Sequence, residues 1–173
     1  MKSFFFKTNE LYFLTFLACV FLLCCAYYFE YVMGLAPCPL CITQRFFTLL
    51  VGITALIAAL HQPANFLNKV YPFKIVLFSC AGAFFAGRMV WLQSLPEGQA
   101  PACGPSLEYI LTSFPFMDAM TVLLKGNGDC AKVTWQFLNL SMPAWVLIAF
   151  IVFAVIGLAQ LSRPKALPLT HTP

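Results

Sequence analysis

Long apolar stretches separated by short polar ones set the pattern of this chain. Leu11–Phe29 holds one non-apolar residue, Thr15. Ile42–Leu60 is largely apolar after a polar start at Thr43, Gln44 and Arg45. Pro72–Ser94 carries Lys74 near its start and Arg88 towards its end, and Ala144–Leu161 is broken only by Gly157 and Gln160. About 20 helical residues cross the hydrocarbon core of a bilayer. The pattern therefore predicts membrane spans over about 11–29, 42–60, 72–94 and 144–161. Four crossings put both termini on one side. Lys2 and Lys7 precede the first run as they would a signal peptide. Its apolar stretch is too long for an h-region and no small-x-small cleavage site follows, so a retained span is expected.

Composition agrees. Of 173 residues, 61% are hydrophobic and 9% charged, and the mean hydropathy is +0.85. Soluble domains carry about 25% charged residues, so this chain could not cover a water-facing surface. That excludes an ordinary soluble enzyme and a disordered chain. The net charge of +4 comes from 10 basic against 6 acidic residues, too sparse for tracking phosphates, so no nucleic-acid partner is expected. The expectation is an all-α membrane protein: residues 1–173 form one integral membrane domain, a four-helix bundle.

Basic residues orient it. Lys2, Lys7, Lys69, Lys74, Arg163 and Lys165 fall on one side with Glu10 as the only acid; Glu30, Glu97, Glu108, Asp118 and Asp129 fall on the other against Lys125 and Lys132. The positive side is cytoplasmic, which places both termini there and the connections 30–41 and 95–143 outside. Trp91, Trp135 and Trp145 then lie near the outer boundary, where indoles anchor. Within the long outer loop, Phe116, Met117, Met120, Leu123 and Leu124 share a helical face that ends at Gly126-Asn127-Gly128. This short amphipathic helix lies flat on the membrane or docks on the bundle; the pattern leaves both open.

The eight cysteines divide by compartment. Cys19, Cys24, Cys25 and Cys80 lie inside spans and are expected to act as small buried hydrophobes. Cys38, Cys41, Cys103 and Cys130 all fall in the two outer connections, where oxidising conditions permit disulfides. Cys38-Pro39-Leu40-Cys41 is a C-x-x-C at the start of the second span, a spacing used by zinc sites, redox pairs and turns. Zinc is the minor alternative, because Cys103 and Cys130 are not a short-spaced pair and His61 and His171 fall on the cytoplasmic side. No metal is expected.

A redox role explains more. Cys41 sits where a helix begins, and the unpaired N–H groups and positive dipole end there favour a thiolate. Arg45 lies four residues on, one turn deeper on the same helix face, and its guanidinium, which stays charged, would further stabilise a thiolate or another anion. Snorkelling is the bland alternative for Arg45. Arg88 sits at comparable depth, and two arginines beside a thiol suggest a pocket for an anion-forming partner. Cys103 and Cys130 are the candidates for a second disulfide. Pro101, Gly104 and Pro105 around the first, and Gly128-Asp129 before the second, argue for exposed segments. Composition alone does not separate a structural staple from an active disulfide. The coexistence with a membrane-edge C-x-x-C favours electron relay.

Pro37-Cys38-Pro39-Leu40-Cys41 with Gln44-Arg45, Arg88 in the third span, Gly128-Asp129-Cys130, Trp135-Gln136-Phe137-Leu138 and Met142-Pro143-Ala144-Trp145 together make the chain resemble the DsbB family. These are quinone-coupled thiol oxidases of the bacterial inner membrane. The resemblance covers almost the whole chain and implies roles by position. A reduced periplasmic thiol-disulfide oxidoreductase of the DsbA type would attack a Cys103–Cys130 disulfide and form a mixed disulfide with Cys103. Cys130 would exchange with Cys38, and Cys41 would pass its electrons to a membrane quinone (ubiquinone or menaquinone) held near Arg45, with Gln44 and Arg88 as further contacts. The result would be disulfide formation in exported proteins. Gln44 stands where some family members carry an acid, and the outer half of the third span and the long loop hold no histidine.

Two other classes compete. Membrane redox proteins of the vitamin K epoxide reductase type also use four helices and loop cysteines, but there the loop pair precedes the C-x-x-C; here Cys38 and Cys41 come first. A non-enzymatic membrane scaffold would use the outer cysteines as staples only.

Overall fold

The computed structural model describes residues 8–35, 37–61, 67–95 and 136–162. Among them four helices are long and apolar enough to cross a membrane: α1 (Thr8–Tyr31), α2 (Pro39–His61), α3 (Leu67–Gln93) and α4 (Met142–Leu161). The fold is therefore the expected helical membrane bundle. The amphipathic segment at 116–125, Trp135, Cys103 and Cys130 lie outside the described residues.

The helices run longer than the apolar stretches that announced them, because polar residues continue a helix once water or headgroups replace lipid. α3 is the clearest case. It starts at Leu67, so Pro72 lies inside it and is fully buried. Proline removes one backbone hydrogen bond, which packed neighbours tolerate in a membrane bundle. One of those neighbours is Gly157 of α4, where an added Cβ would lie 3.2 Å from the Pro72 carbonyl and 2.7 Å from Val76 Cγ2. At Gly82 of α3 an added Cβ would enter the Phe150 ring. Small residues at these two points let α3 and α4 approach closely, and theirs is the most extensive helix–helix interface; α1 packs mainly on α2 and barely meets α4.

The core runs along the bundle through Tyr12, Cys19, Val51, Ala55, Ile75, Phe150 and Phe153. Three buried threonine hydroxyls are satisfied within their own helices: Thr15 donates to the Leu11 carbonyl at 2.8 Å, Thr48 to Gln44 at 2.9 Å and Thr54 to Leu50 at 2.7 Å, whereas the buried Ser79 hydroxyl has no hydrogen-bond partner among the described residues. At the end opposite the C-x-x-C, His61 Nδ1 lies 3.1 Å from the Tyr71 hydroxyl and links α2 to α3.

The span cysteines do not share one environment. Cys19 is buried between α1 and α2, whereas Cys24 and Cys80 are exposed on the helix surfaces and Cys25 is half-buried. A span in a four-helix bundle has a broad lipid-facing side, so apolar character does not mark which residues meet protein.

Two local features differ from a purely helical expectation. Gly34, at φ +66°, lets the chain reverse after α1, and the Leu35 N–H reaches back to the Phe29 carbonyl at 3.1 Å. Just before α4, β1 (Gln136–Phe137) and β2 (Leu140–Ser141) form an antiparallel ribbon with Phe137 opposite Leu140. Its two-residue turn, Leu138-Asn139, has positive φ at both positions, the twist that matches a tight hairpin. Trp145 in the first turn of α4 donates its indole N–H to the Phe137 carbonyl at 3.2 Å, fixing the ribbon to the helix.

Candidate functional site

The site is built around the first turns of α2. Cys38 precedes the helix; its carbonyl accepts the first helical hydrogen bond, from Ile42 N–H at 3.2 Å, and Pro39 occupies the first helical position, where no donor is needed. Cys38 is thus the N-cap. Its sulfur accepts the Cys41 N–H at 3.4 Å, the contact a Ser or Asp side chain makes in that role. The two cysteine sulfurs lie 3.0 Å apart. An i, i+3 spacing across a helix start is what brings them together.

Both sulfurs face α3. Met89 Sδ is 3.9 Å from Cys38 Sγ and 3.7 Å from Cys41 Sγ. Gln44, one turn beyond Cys41, is buried and directs its amide nitrogen to the same Sδ at 3.6 Å. Around them Cys38, Leu40, Phe85, Met89 and Leu92 form a buried apolar cluster, with Phe47 stacked on Phe85 at 5.6 Å. Cys41 is the less buried of the pair.

Arg45 turns the other way. Its guanidinium forms an ion pair with Glu30 of α1, donates to the Ala26 carbonyl at 3.1 Å and lies 5.2 Å from the centre of the Tyr27 ring. Arg45, Glu30 and Tyr27 edge a groove of about 440 Å³ between α1 and α2, with Leu23, Pro37, Ile42, Phe46 and Leu49 as its apolar walls. Arg88 stacks on Trp91 of its own helix, 4.3 Å from the ring centre.

The residues singled out in the sequence therefore separate. Cys38, Cys41 and Gln44 come together on the α3 side, Arg45 lies on the α1 side, and Arg88 is on Trp91. Cys103 and Cys130 lie outside the described residues. Among the described residues no group of three or more His, Cys, Asp and Glu could hold a metal ion. Sequence reasoning missed Met89, Glu30 and Tyr27. Met89 was within reach, since Phe85, Met89 and Leu92 recur at helical spacing beside Arg88. Glu30 entered only as an outer acid, although an acid ending one span and an arginine opening the next meet naturally across a short connection.

These features define an integral membrane helical bundle with a close cysteine pair capping a helix at one end. The chain belongs to the DsbB family: residues 8–160 match the family described as disulfide bond formation protein DsbB. It is 50% identical over 160 residues to a disulfide bond formation protein B of Hahella chejuensis, covering 91% of this chain and 97% of that protein. It is 48% identical over 150 residues to the protein of that name from Marinobacter nauticus, covering 87% and 89%. Disulfide bond formation protein B 1 of Pseudomonas aeruginosa is 40% identical over 155 residues, covering 90% and 95%. Family membership carries a thiol-oxidising role in disulfide formation.

Proposed function

We propose that the protein oxidises a soluble periplasmic dithiol protein of the DsbA type and delivers the electrons to a membrane quinone. The observation that carries this is the Cys38–Cys41 sulfur pair, 3.0 Å apart at the start of α2, at one end of a bundle long enough to span a bilayer. In this reading residues 1–173 are one domain of the bacterial inner membrane, with both termini cytoplasmic and the redox cysteines periplasmic.

Thiol exchange supplies the relay. A partner thiolate attacks the Cys103–Cys130 disulfide at Cys103, which breaks the old S–S bond, forms a mixed disulfide and releases Cys130 as a thiolate. The partner's second thiol then displaces Cys103, leaving the partner oxidised. Cys130 attacks Cys38, forming a Cys130–Cys38 disulfide while the Cys38–Cys41 bond breaks and its electron pair leaves on Cys41. Cys103 then displaces Cys38 from Cys130, restoring Cys103–Cys130, and Cys38 and Cys41 re-form their disulfide as two electrons and two protons pass to the quinone. Such steps need a thiolate attacker and a good leaving thiol, and Cys41 is suited to leave because helix-start N–H groups favour an anion.

The groove beside Arg45 suits a quinone headgroup: apolar walls, an aromatic ring at Tyr27 and the Arg45 cation, paired with Glu30, among its lining residues. A bound quinone supplies a lipid-soluble sink for two electrons and two protons. Arg45 would hold its carbonyl oxygen; Ile42, Phe46 and Leu49 would exclude water. Cys41 shares the first turn of α2 with Ile42 and is only partly buried; in this reading its sulfur turns from Met89 towards the groove to meet the quinone.

The test is turnover of the purified protein. Quinone consumption should match the dithiol oxidised one for one and fall to background in Cys41→Ser. Full turnover in that variant would overturn the mechanism. Absence of any quinone-dependent oxidation by the wild-type protein would favour the scaffold alternative.

A further inference from the structure

We infer that Gln44, parked on Met89, is the hydrogen-bond donor that stabilises the Cys41 thiolate when it forms, and that Met89 is the competing acceptor that occupies the amide until then. This rests on the reading of Cys38–Cys41 as a redox pair.

Three observations meet here. The Gln44 amide is buried, and its nitrogen lies on a thioether at 3.6 Å. A thioether is a weak acceptor, so this N–H is held in place by a partner it can readily exchange. The same Met89 sulfur is 3.7 Å from Cys41 Sγ, which puts the reacting sulfur next to the amide's present partner. Arg45, the obvious cation, is committed to Glu30, Ala26 and Tyr27 on the α1 side.

In this structure the two cysteines are unbonded thiols, and the charge that exchange leaves on Cys41 makes the difference. An incoming thiolate bonds to Cys38 Sγ, the Cys38–Cys41 bond breaks, and the electron pair stays on Cys41 as a thiolate. No further oxidant or reductant is involved. Even a partly buried anion is costly without donors, and hydrogen bonds to charged groups are roughly twice as strong as neutral ones. The amide therefore gains by turning from Met89 Sδ to Cys41. The Met89 lone pairs act in the opposite sense, since they compete for the amide and face the anion. Among the described residues, the charged and titratable groups at this end of the bundle include Cys38 before α2, Arg45 on α2, Tyr27 and Glu30 on α1 and Arg88 on α3; α4 carries no charged or titratable residue.

The experiment reads the anion without quinone or partner. The full-length protein is reduced with dithiothreitol in detergent and desalted, and the rate at which iodoacetamide alkylates Cys41 is followed against pH by peptide mass spectrometry. Gln44→Leu should slow alkylation near neutral pH about tenfold, the size expected for losing one charge-assisted hydrogen bond, with the profile moved to higher pH. Met89→Leu keeps the packing but removes the sulfur, and should move the profile to lower pH with a rate gain of about twofold to threefold, in line with a weak neutral interaction. General loosening of the bundle would not produce opposite signs. Arg45→Leu should leave the profile within about twofold, smaller than any single hydrogen-bond effect. Unchanged profiles in both Gln44→Leu and Met89→Leu, or a shift in Arg45→Leu larger than in Gln44→Leu, would overturn the inference while leaving the redox reading intact. Failure of the wild-type Cys38–Cys41 pair to form a disulfide reversibly would instead overturn that reading.

Discussion

The two sides of the first turns of α2 have opposite chemistry. Towards α3 lie sulfur, a neutral amide and aromatic rings, packed and mostly buried: Cys38, Gln44, Met89 and Phe85. Towards α1 lie an ion pair, a tyrosine ring and an open groove: Arg45, Glu30 and Tyr27. A helix of 3.6 residues per turn makes this separation unavoidable, because Gln44 and Arg45 are neighbours in sequence and therefore about 100° apart around the axis. Adjacent residues that resemble one motif can serve different partners. In the proposed function, thiol exchange falls to the packed side, where geometry is held, and the membrane-soluble oxidant to the side with the groove.

Substitutions that damage one side and spare the other would sharpen that contrast. The largest expected effect is Arg45→Ala. It removes the cation from the groove and leaves Glu30 without its partner. Quinone KM should rise about tenfold, the loss expected for one charge-assisted contact, while the apparent KM for the dithiol protein stays unchanged. Steady-state kinetics with each substrate varied in turn measures this; a rise confined to the dithiol KM would reverse the assignment of sides.

Glu30→Gln is the smaller perturbation. The carboxylate now competes with any ligand for the guanidinium. Its neutral replacement should lower quinone KM about threefold, a difference of less than 1 kcal/mol and within the range of partly exposed ion pairs. A large rise would mean that Glu30 itself holds the ligand. Gly82→Ala faces Phe150 of α4 and not the cysteine pair, and should act mainly on stability. Its methyl group would press on Phe150, and overpacking of this kind costs about 1–3 kcal/mol. Thermal unfolding in detergent should fall by several degrees, and Phe150→Leu in the same chain should restore part of the loss.

Much of the bundle was legible in the chain because lipid imposes a simple rule: long apolar runs become helices. Their ends were less legible. Leu67–Tyr71 and Met142 are helical although they lie outside the apolar runs, and Pro72 sits inside a helix instead of opening one, because close neighbours in α4 and not local preference decide there. At the site, Cys38 and Cys41 were readable from spacing, since a helix start joins them locally. The partner of each side chain was not. Met89 reaches the sulfurs from 48 residues beyond Cys41, and Glu30 meets Arg45 across the Gly34 turn. Both contacts depend on how the helices are rotated about their axes, which hydrophobic pattern in a membrane specifies weakly because both lipid and core are apolar. The ribbon at Gln136–Ser141 was likewise hidden, since Leu138 carries no turn signal and adopts positive φ in a setting fixed by Trp145.

The central claim is that α2 carries the exchanging sulfurs on one side and receives the acceptor on the other. Photolabelling of the membrane-embedded protein with a light-activated quinone analogue, followed by peptide mapping, tests it directly. The account predicts label on α1 and α2 residues that wall the groove, Tyr27, Ile42 and Phe46, and its loss in Arg45→Ala. Label concentrated on Phe85, Met89 and Leu92 of α3 would contradict it.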